Sequence, residues 1–299
     1  MQTILLIGAS GLVGSSVHSF FADKPFKVFT PSHKHLDITH PRTVNSYIKK
    51  FHPDVIINFA ATTAIDAIEK SRGKQFGPVW RLNVEAVQTL HNLSIDYSAF
   101  FIQISSDAVF PGTRNEPGPY NESDPVASNY NDINWYGVTK LTAEKSIVDR
   151  NNRYAIVRIS HPFGNIASPR DLIRKTVREI HMGHSLFADQ QFTPTYIPDL
   201  SNVLFKLAQK RITGIYHVGC GPPVSRWEFD CYFVKNYSLK KGSMERYLKK
   251  SSKAPRTRIG GFVSRRTRRI LGVTFHTWQE ALDEIHKYSK RDIFAFLPY

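Results

Sequence analysis

The stretch Ile4-Leu5-Leu6-Ile7-Gly8-Ala9-Ser10-Gly11-Leu12-Val13-Gly14 decides the fold of this chain. Its first four residues form an apolar run that is typical of a strand buried in a parallel sheet. Glycines follow at every third position, and apolar residues at helical spacing come after them. In this context, backbone amides at the helix N-terminus can face a pyrophosphate. The pattern therefore predicts a dinucleotide site, and its alternative is a tight turn with a purely structural role.

The same alternation of strand and helix continues along the first half of the chain. Apolar runs predict further strands at 26–29, 55–59, 100–104 and 154–157, with helices between them. Pro41 at the start of the helix over 41–51 suits a first turn, and Thr39 is expected to cap that helix. This order predicts an α/β fold with a doubly wound parallel sheet of the Rossmann type.

The second half of the sequence is less regular. It predicts a helix over 169–181, a short extended piece over 185–188, a late strand over 215–218 and a final helix over 278–287. We expect a Rossmann domain over 1–160, to which the chain returns around 193–220. Residues 161–299 would then form mainly a smaller substrate-binding lobe.

Small and polar residues follow several of the predicted strands directly. Ala60-Ala61-Thr62 comes after the third strand, and Ser105-Ser106-Asp107 comes after the fourth. The carboxyl ends of parallel strands meet at one edge of the sheet, where open α/β folds bind ligands. The sequence therefore predicts that these residues border one site.

Tyr136 and Lys140 are the strongest candidates for chemistry. Four residues apart on a helix, they would share one face. An ammonium beside a phenol favours the phenolate, so the pKa of Tyr136 is expected to fall from about 10 towards the range of an acid/base catalyst. The alternative is an exposed helix face without a catalytic role. We favour the catalytic interpretation because the polar clusters are predicted to lie at the same edge of the sheet.

The end of the second strand bears on cofactor choice. NAD-selective folds usually place an acid there, whereas this chain has Thr30-Pro31-Ser32-His33-Lys34-His35. Ser32 and Lys34 suit a 2′-phosphate, which favours NADP(H) and leaves NAD(H) as a second option. An ordinary polar loop is the alternative. Asp37 could accept a hydrogen bond from adenine or be a plain loop carboxylate.

The composition argues against membrane, secreted and disulfide-rich classes of protein. The chain has 299 residues, 41% of them hydrophobic, and no apolar run near the ~20 residues that span a bilayer. Its first residues lack the basic flank of a signal peptide, and its two cysteines indicate neither a disulfide framework nor a zinc site. We expect a cytoplasmic protein without a membrane partner, in which Cys220 is a packed thiol. No metal-ligand cluster stands out in the sequence, and the use of a divalent ion is left open.

The net charge of +15 is concentrated in residues 240–270, which hold twelve Lys or Arg against one acid, Glu245. Such a segment could bind nucleic acid or another polyanion. It contains few aromatic residues on which bases could stack, so a solvated face that supplies one or two arginines to a diphosphate is the preferred interpretation. Nucleic acid is therefore not the expected partner.

Taken in order, these motifs resemble the extended short-chain dehydrogenase/reductases. Within them the chain is similar to the dTDP-4-dehydrorhamnose reductases, from Ile4 to about Leu282. The resemblance depends on the Gly8–Gly14 turn and on five further motifs. They are Leu36-Asp37-Ile38-Thr39, Pro53 to Asn58 with Ala60-Ala61-Thr62, Ile104 to Gly112, Tyr136-Gly137-x-Thr139-Lys140-Leu141-x-x-Glu144, and Phe192-x-Pro194-Thr195.

The resemblance implies roles for individual residues. Tyr136 would protonate the substrate oxygen, Lys140 would lower its pKa and hold the nicotinamide ribose, and Ser106 would hydrogen-bond the substrate carbonyl. Asp107 and His161 would border the sugar. The residues implied in cofactor binding, besides Ser32, Lys34, Tyr136 and Lys140, are Gly8, Gly11, Leu12, Val13, Gly14, Asp37, Ile38, Ala60, Ala61 and Thr62.

Two positions depart from the family. Ala108 stands where the reductases usually have Tyr, and His161 stands where they often have Trp; both border the sugar pocket. The resulting hypothesis is an NADPH-preferring reductase of a nucleotide-linked 4-keto-6-deoxy sugar. A nucleotide-sugar epimerase or dehydratase and a non-catalytic, cofactor-binding regulatory subunit are its alternatives. The oligomeric state is open, with a homodimer as one option.

Overall fold

A computed structural model describes residues 1–150, 153–181, 186–187, 190–236, 246–247 and 254–289. Within these ranges, six strands form one parallel sheet in the order β2-β1-β3-β4-β5-β8. These strands are β1 (Gln2–Ile7), β2 (Phe26–Phe29), β3 (Val55–Asn58), β4 (Phe100–Ser106), β5 (Tyr154–Ile159) and β8 (Gly214–Val218). The prediction of a doubly wound parallel sheet is confirmed.

Helices cover both faces of this sheet. Those of the first half are α1 (Leu12–Phe21), α2 (Pro41–Phe51), α3 (Ile65–Glu69), α4 (Pro78–Trp80), α5 (Ala86–Asp96) and α6 (Trp135–Val148). A π-helical turn at Arg81–Glu85 joins α4 to α5. One core lies between the sheet and two helices, α1 and the helix Ile197–Lys210, and a second lies between the sheet and α2, α5 and α6.

The second half adds the remaining elements. They are α7 (Leu172–His181), β6 (Leu186–Phe187), β7 (Gln191–Phe192), α8 (Ile197–Lys210), β9 (Val224–Ser225), α9 (Arg226–Asn236), β10 (Arg246–Tyr247), α10 (Arg265–Leu271) and α11 (Trp278–Ser289). A separate cluster of buried side chains packs α7, α9 and α11 together. The late strand pairs with β5 at the sheet edge, as expected. The domain limits of 1–160 and 161–299 stay a prediction.

The strand order places a crevice between β1 and β3. From β1 the chain goes outward to β2 and then crosses to β3 on the other side of β1, so the connections after β1 and β3 diverge. Ligands of open α/β sheets bind at such a switch point, outside the carboxyl ends of the strands. The end of β1 is joined to the residue after β3 by a hydrogen bond from Phe59 N to Ile7 O of 2.9 Å.

The long segment between β4 and α6 is held by residues far along the chain. Gly118 N donates to Ile259 O at 2.7 Å, and Tyr120 N donates to Gly261 O at 2.9 Å. Val263 N returns a bond to Tyr120 O at 2.8 Å. The segment over 111–134, which forms an irregular loop in sequence, is therefore bound to the C-terminal part of the chain.

Several expected boundaries were wrong. Thr39 does not cap α2: the N-cap is His40, and Thr39 instead donates its backbone N–H and its hydroxyl to Asp37. Helix α7 begins at Leu172 and not near Pro169, because the buried Asp171 carboxylate accepts from Ile173 N in the first turn.

The basic segment over 240–270 lies only partly within the described residues. Its lysines at 240, 241, 249, 250 and 253 fall outside them. Among the others, Arg256 pairs with Asp66 at 2.7 Å, and Arg266 donates to the Ile215 carbonyl at 2.8 Å. The expectation that this segment does not bind nucleic acid stays a prediction. No helix in the described ranges has the length and hydropathy that crossing a bilayer requires.

Candidate active site

The glycine-rich turn is built by backbone packing. Gly8 has φ +82° and accepts a hydrogen bond from Gly11 N at 3.0 Å. A Cβ at Gly14 would lie 2.3 Å from Gly8 O, and a Cβ at Gly8 would lie 2.9 Å from Ala60 N. Gly11 is the N-cap of α1, and no side chain caps that helix. The first amides of α1 thus meet the crevice without side chains in front of them, which fits a pyrophosphate.

A cleft of about 380 Å³ opens beside this turn. It brings together most of the site residues that the sequence predicts. Those that line it are Gly8, Gly11, Leu12, Val13, Gly14, Ala61, Ser106, Asp107, Tyr136, Lys140 and His161. Residues from the glycine turn, from the end of β4, from α6 and from the segment after β5 therefore face one space.

Other predicted cofactor residues lie outside the lining of this cleft. Ala60 and Thr62 donate their backbone N–H groups to Asn58 and Asn83. Ser32 lines a separate surface groove against α2, where its hydroxyl is 2.7 Å from His35 Nδ1. Ile38 is buried in the core, and the roles proposed for Ser32, Lys34, Asp37 and Ile38 stay predictions.

Helix α6 is fixed at its start, which positions Tyr136. Asn134 is the N-cap: its Oδ1 accepts from Gly137 N at 2.9 Å, and its Nδ2 donates to Pro255 O at 3.1 Å. A Cβ at Gly137 would lie 2.1 Å from the Ala108 carbonyl oxygen, so a glycine lets the helix approach the turn after β4. Tyr136 and Lys140 are both buried at this contact.

Tyr136 does not have the lowered pKa that the sequence predicts. Burial raises the pKa of Tyr136 well above its usual value, and the nearby Asp107 carboxylate adds to this, against a hydrogen bond from Ser106 that lowers it. The Lys140 ammonium is directed elsewhere, since its Nζ donates to the Ile104 carbonyl at 2.7 Å. Tyr136 is therefore a protonated phenol at neutral pH, as a proton donor must be.

Lys140 is the group whose pKa moves towards neutrality. Burial lowers the pKa of Lys140 to about 8, although the negative charge of Glu144 opposes the shift. An ammonium with this pKa is still mostly charged at pH 7. It supplies positive charge at the strand end that carries Ser106.

A chain of hydrogen bonds runs from Ser106 across the cleft wall. Ser106 Oγ donates to Asp107 Oδ1 at 3.0 Å, and Asp107 Oδ2 accepts from Ser160 Oγ at 2.5 Å. Ser160 Oγ is also 2.9 Å from His161 Nδ1. The two substrate-side residues that the sequence predicts, Asp107 and His161, are thus joined through Ser160, which sequence reasoning missed.

A buried ion pair supports the site from behind. Arg158 on β5 binds Glu144 through Nη2 at 2.6 Å, and Ser105 Oγ also donates to Glu144. Arg158 Nη1 is 3.3 Å from His217 Nε2, and His217 Nδ1 is 3.2 Å from Tyr120 O. Glu144 lies one turn beyond Lys140, so this network connects α6 to β4 and β5. Glu144 follows Lys140 by four residues, just as Lys140 follows Tyr136. This repeated spacing is the sequence signal that could have identified Glu144.

Asn83 fixes the loop after β3 through side-chain hydrogen bonds. It lies on the π-helical turn, accepts from Thr62 N at 2.9 Å, and donates to Thr62 O at 3.1 Å and to Thr139 Oγ1 at 3.2 Å. Asn83 therefore links the loop after β3 to α6. Single π-helical turns within α-helices are frequent near functional sites.

Basic side chains also line the cleft. They are Arg170, just before α7, and Lys175, on that helix. Burial, followed by the nearby Arg226, lowers the pKa of Lys175. In the described ranges no group of three or more His, Cys, Asp or Glu side chains is arranged to hold a metal ion.

The fold matches that of a reductase whose crystal structure contains NADP. The structure superimposes on dTDP-4-dehydrorhamnose reductase from Bacillus anthracis, solved in complex with NADP, with a TM-score of 0.83 and 26% identity; the match covers 96% of this chain and 100% of that one. Fold and site together define the class of NAD(P)-dependent oxidoreductases of the extended short-chain dehydrogenase/reductase type.

The family follows from the sequence comparisons. Residues 1–290 match the RmlD substrate binding domain family, and the chain belongs to it. It is 31% identical to dTDP-4-dehydrorhamnose reductase of Aggregatibacter actinomycetemcomitans over 238 residues, which is 77% of each chain. It is also 29% identical to methionine adenosyltransferase 2 subunit beta of Xenopus tropicalis over 255 residues, or 79% of this chain and 72% of that one.

Proposed function

We propose that this protein is an NADPH-preferring reductase of a nucleotide-linked 4-keto-6-deoxy sugar. The observation that carries the proposal is the buried, protonated phenol of Tyr136 in a cleft that faces the glycine turn. Reduction of a ketone requires a proton donor at the developing alkoxide, and a phenol with a raised pKa holds its proton until that charge forms.

The residues of the cleft fit a dinucleotide. Gly8, Gly11 and Gly14 leave no side chain in front of the first amides of α1, and a pyrophosphate would bind there. Ala61 offers a small surface beside it. When bound, the dihydronicotinamide supplies the hydride that the keto carbon receives. Ser32 and Lys34 would hold the 2′-phosphate, which is why NADPH is preferred over NADH.

The remaining residues divide the work on the substrate. Tyr136 gives its hydroxyl proton to the carbonyl oxygen as that oxygen becomes an alcohol. The Ser106 hydroxyl, which donates to Asp107 in the free protein, turns its hydrogen to the same oxygen, and the Lys140 ammonium stabilises the negative charge that develops there. Arg170 and Lys175 lie where the diphosphate of a nucleotide sugar can meet positive charge.

The experiment that tests the proposal removes the hydroxyl oxygen of Tyr136. Tyr136→Phe should lower kcat for NADPH-dependent reduction of a dTDP-linked 4-keto-6-deoxyhexose by about 10²–10⁴-fold. NADPH affinity, followed by cofactor fluorescence, should change less than about twofold. Tyr97→Phe is the matched control, because the Tyr97 hydroxyl bonds Asn45 on the surface. Unchanged turnover in Tyr136→Phe would contradict the mechanism.

Two rivals are separated by the same assay. An epimerase or dehydratase that recycles its cofactor would convert sugar without net loss of NADPH, whereas a reductase consumes one NADPH per product. The similarity to methionine adenosyltransferase 2 subunit beta favours, as the second candidate, a regulatory subunit that keeps the cofactor site. Such a subunit would show no turnover and would purify with a stable protein partner.

A further inference from the structure

His161 is held rigidly in the wall of the cleft. It follows β5 in the left-handed backbone region, with φ 44°. Its ring packs on Phe192, with 4.2 Å between ring centroids and an interplanar angle of 35°. Because backbone and packing fix the ring, the protonation of its two nitrogens decides what the cleft wall offers a ligand.

Counting hydrogens assigns the first nitrogen. Asp107 Oδ2 accepts a hydrogen bond from Ser160 Oγ at 2.5 Å. The single hydroxyl hydrogen of Ser160 therefore points at Asp107. Towards His161 Nδ1, 2.9 Å away, Ser160 Oγ can only accept. Nδ1 must then carry a hydrogen.

Whether the second nitrogen, Nε2, carries a hydrogen depends on the charge of the ring. The ordinary pKa of histidine, about 6.5, leaves most of the ring neutral at pH 7, and desolvation beside the cleft lowers the pKa of His161 further; Asp107 opposes this, and the charges of Arg226, Arg256 and Lys175 add to it. A neutral imidazole with its hydrogen on Nδ1 has a bare Nε2, which accepts. No group in the described part of the chain bonds to Nε2, and the residue lines the cleft.

We propose that His161 Nε2 accepts a hydrogen bond from a ring hydroxyl of the sugar, and that this contact sets substrate specificity. Ser160 and Asp107 act as positioning residues, because they fix the tautomer. The inference depends on the proposed function, since it takes the occupant of the cleft to be a nucleotide-linked sugar. A tryptophan at this position could only donate, so the histidine reverses the polarity of the contact.

The tautomer can be measured in the free protein. In ¹⁵N-histidine-labelled protein at pH 7, long-range ¹H–¹⁵N spectra should show His161, assigned by its loss in His161→Asn, with hydrogen on Nδ1 and none on Nε2. His217 is an internal reference: it accepts from Arg158 through Nε2 and donates to Tyr120 O through Nδ1. Ser160→Ala should abolish the preference at His161 and leave His217 unchanged. Hydrogen on His161 Nε2 in the wild type would overturn the proposal.

The contact is tested by three ligands. A dTDP-linked 4-keto-6-deoxyhexose should shift the His161 Nε2 resonance, and so should only one of its 2-deoxy and 3-deoxy analogues. His161→Phe should weaken binding of the parent sugar by about 10- to 100-fold, whereas His161→Asn, with a carbonyl acceptor, should recover most of it. Binding of the parent without movement of Nε2 overturns this inference alone. Absence of parent binding overturns the proposed function as well.

Discussion

The Lys140 ammonium donates a hydrogen bond to the Ile104 carbonyl on β4, 2.7 Å away, and so tethers α6 to the strand that ends at Ser106. Burial brings the pKa of Lys140 to about 8, although the negative charge of Glu144 opposes this shift. The raised pKa of Tyr136 and the lowered pKa of Lys140 therefore occur on one face of the same helix.

The first prediction concerns pH. Below pH 8 Lys140 is charged, and above pH 8 it loses its proton, so kcat/KM for ketone reduction should fall as pH rises through about 8. Tyr136 does not contribute to this fall, because its own pKa is raised. Lys140→Arg should move the fall to higher pH, since a guanidinium stays protonated. Lys145→Arg, on the same helix but at the surface, should leave the profile unchanged; a wild-type rate that is flat to pH 10 would contradict the assignment.

The second prediction concerns the glycine turn. Alanine is favoured over glycine in a helix by about 1 kcal/mol. At Gly14, however, a Cβ would lie 2.3 Å from a backbone oxygen that cannot move freely. Gly14→Ala should therefore lower the free energy of unfolding by about 1–3 kcal/mol and weaken NADPH binding. Denaturant titration and cofactor fluorescence measure both.

Gly77→Ala is the control for that substitution. A Cβ at Gly77 would meet its nearest atom at 3.4 Å, an ordinary contact. Its free energy of unfolding and its cofactor affinity should stay near wild type. Equal effects at Gly14 and Gly77 would show that close packing of the turn is not the cause.

The third prediction concerns the buried ion pair. Glu144→Gln leaves the Arg158 charge without its counter-ion in the core, which should cost about 3–5 kcal/mol of unfolding free energy. Glu144→Leu combined with Arg158→Met should recover much of that loss, because the uncompensated Arg158 charge is removed together with its partner. Asp66→Asn removes the exposed partner of Arg256 and should cost only about 0–1 kcal/mol. Similar losses for Glu144→Gln and Asp66→Asn would refute the argument.

The fourth prediction concerns stability against pH. His276 Nδ1 lies 2.8 Å from Asp199 Oδ1, and its Nε2 lies 3.2 Å from Glu284 Oε2. Burial opposes the charge, but the bond and charge of Asp199 outweigh it, so the pKa of His276 is raised above 6.5. The stabilisation is complete below pH 6.5 and is lost as pH rises through the folded pKa. The Tm difference between wild type and His276→Gln should therefore shrink as pH rises above 6.5.

If the Tm difference for His276→Gln grew with pH, the sign of the linkage would be wrong.

Local patterns predicted much of the sheet and its first helices. Strand β2 and helix α2 begin and end where the sequence places them, because an apolar run and an N-terminal proline are signals contained in a few neighbouring residues. Strand β4 is longer than expected, since Ser105 and Ser106 continue to pair with Arg158 and Ile159 of β5. Pairing with a strand fifty residues away leaves no local pattern.

The candidate site likewise contains some residues that local patterns predict and others that they do not. The glycine turn, Ser106, Tyr136 and Lys140 were found because each belongs to a motif with fixed spacing. The direction of the pKa of Tyr136 was not, because burial and the orientation of Lys140 towards Ile104 depend on the folded environment. Ser160 and the Arg158–Glu144 pair were missed for the same reason: their partners are brought together only by the sheet.

The binding of segment 111–134 by residues 255–263 also has a consequence for synthesis. A ribosome makes the chain from its N-terminus, so the glycine turn and helix α6 emerge long before Ile259 and Gly261, which hold Gly118 and Tyr120. The nascent chain can therefore form its first five sheet strands while the segment over 111–134 still lacks the partners that hold it. A chain stopped before residue 255 would carry the glycine turn, Ser106, Tyr136 and Lys140, but it would leave this segment without those hydrogen bonds.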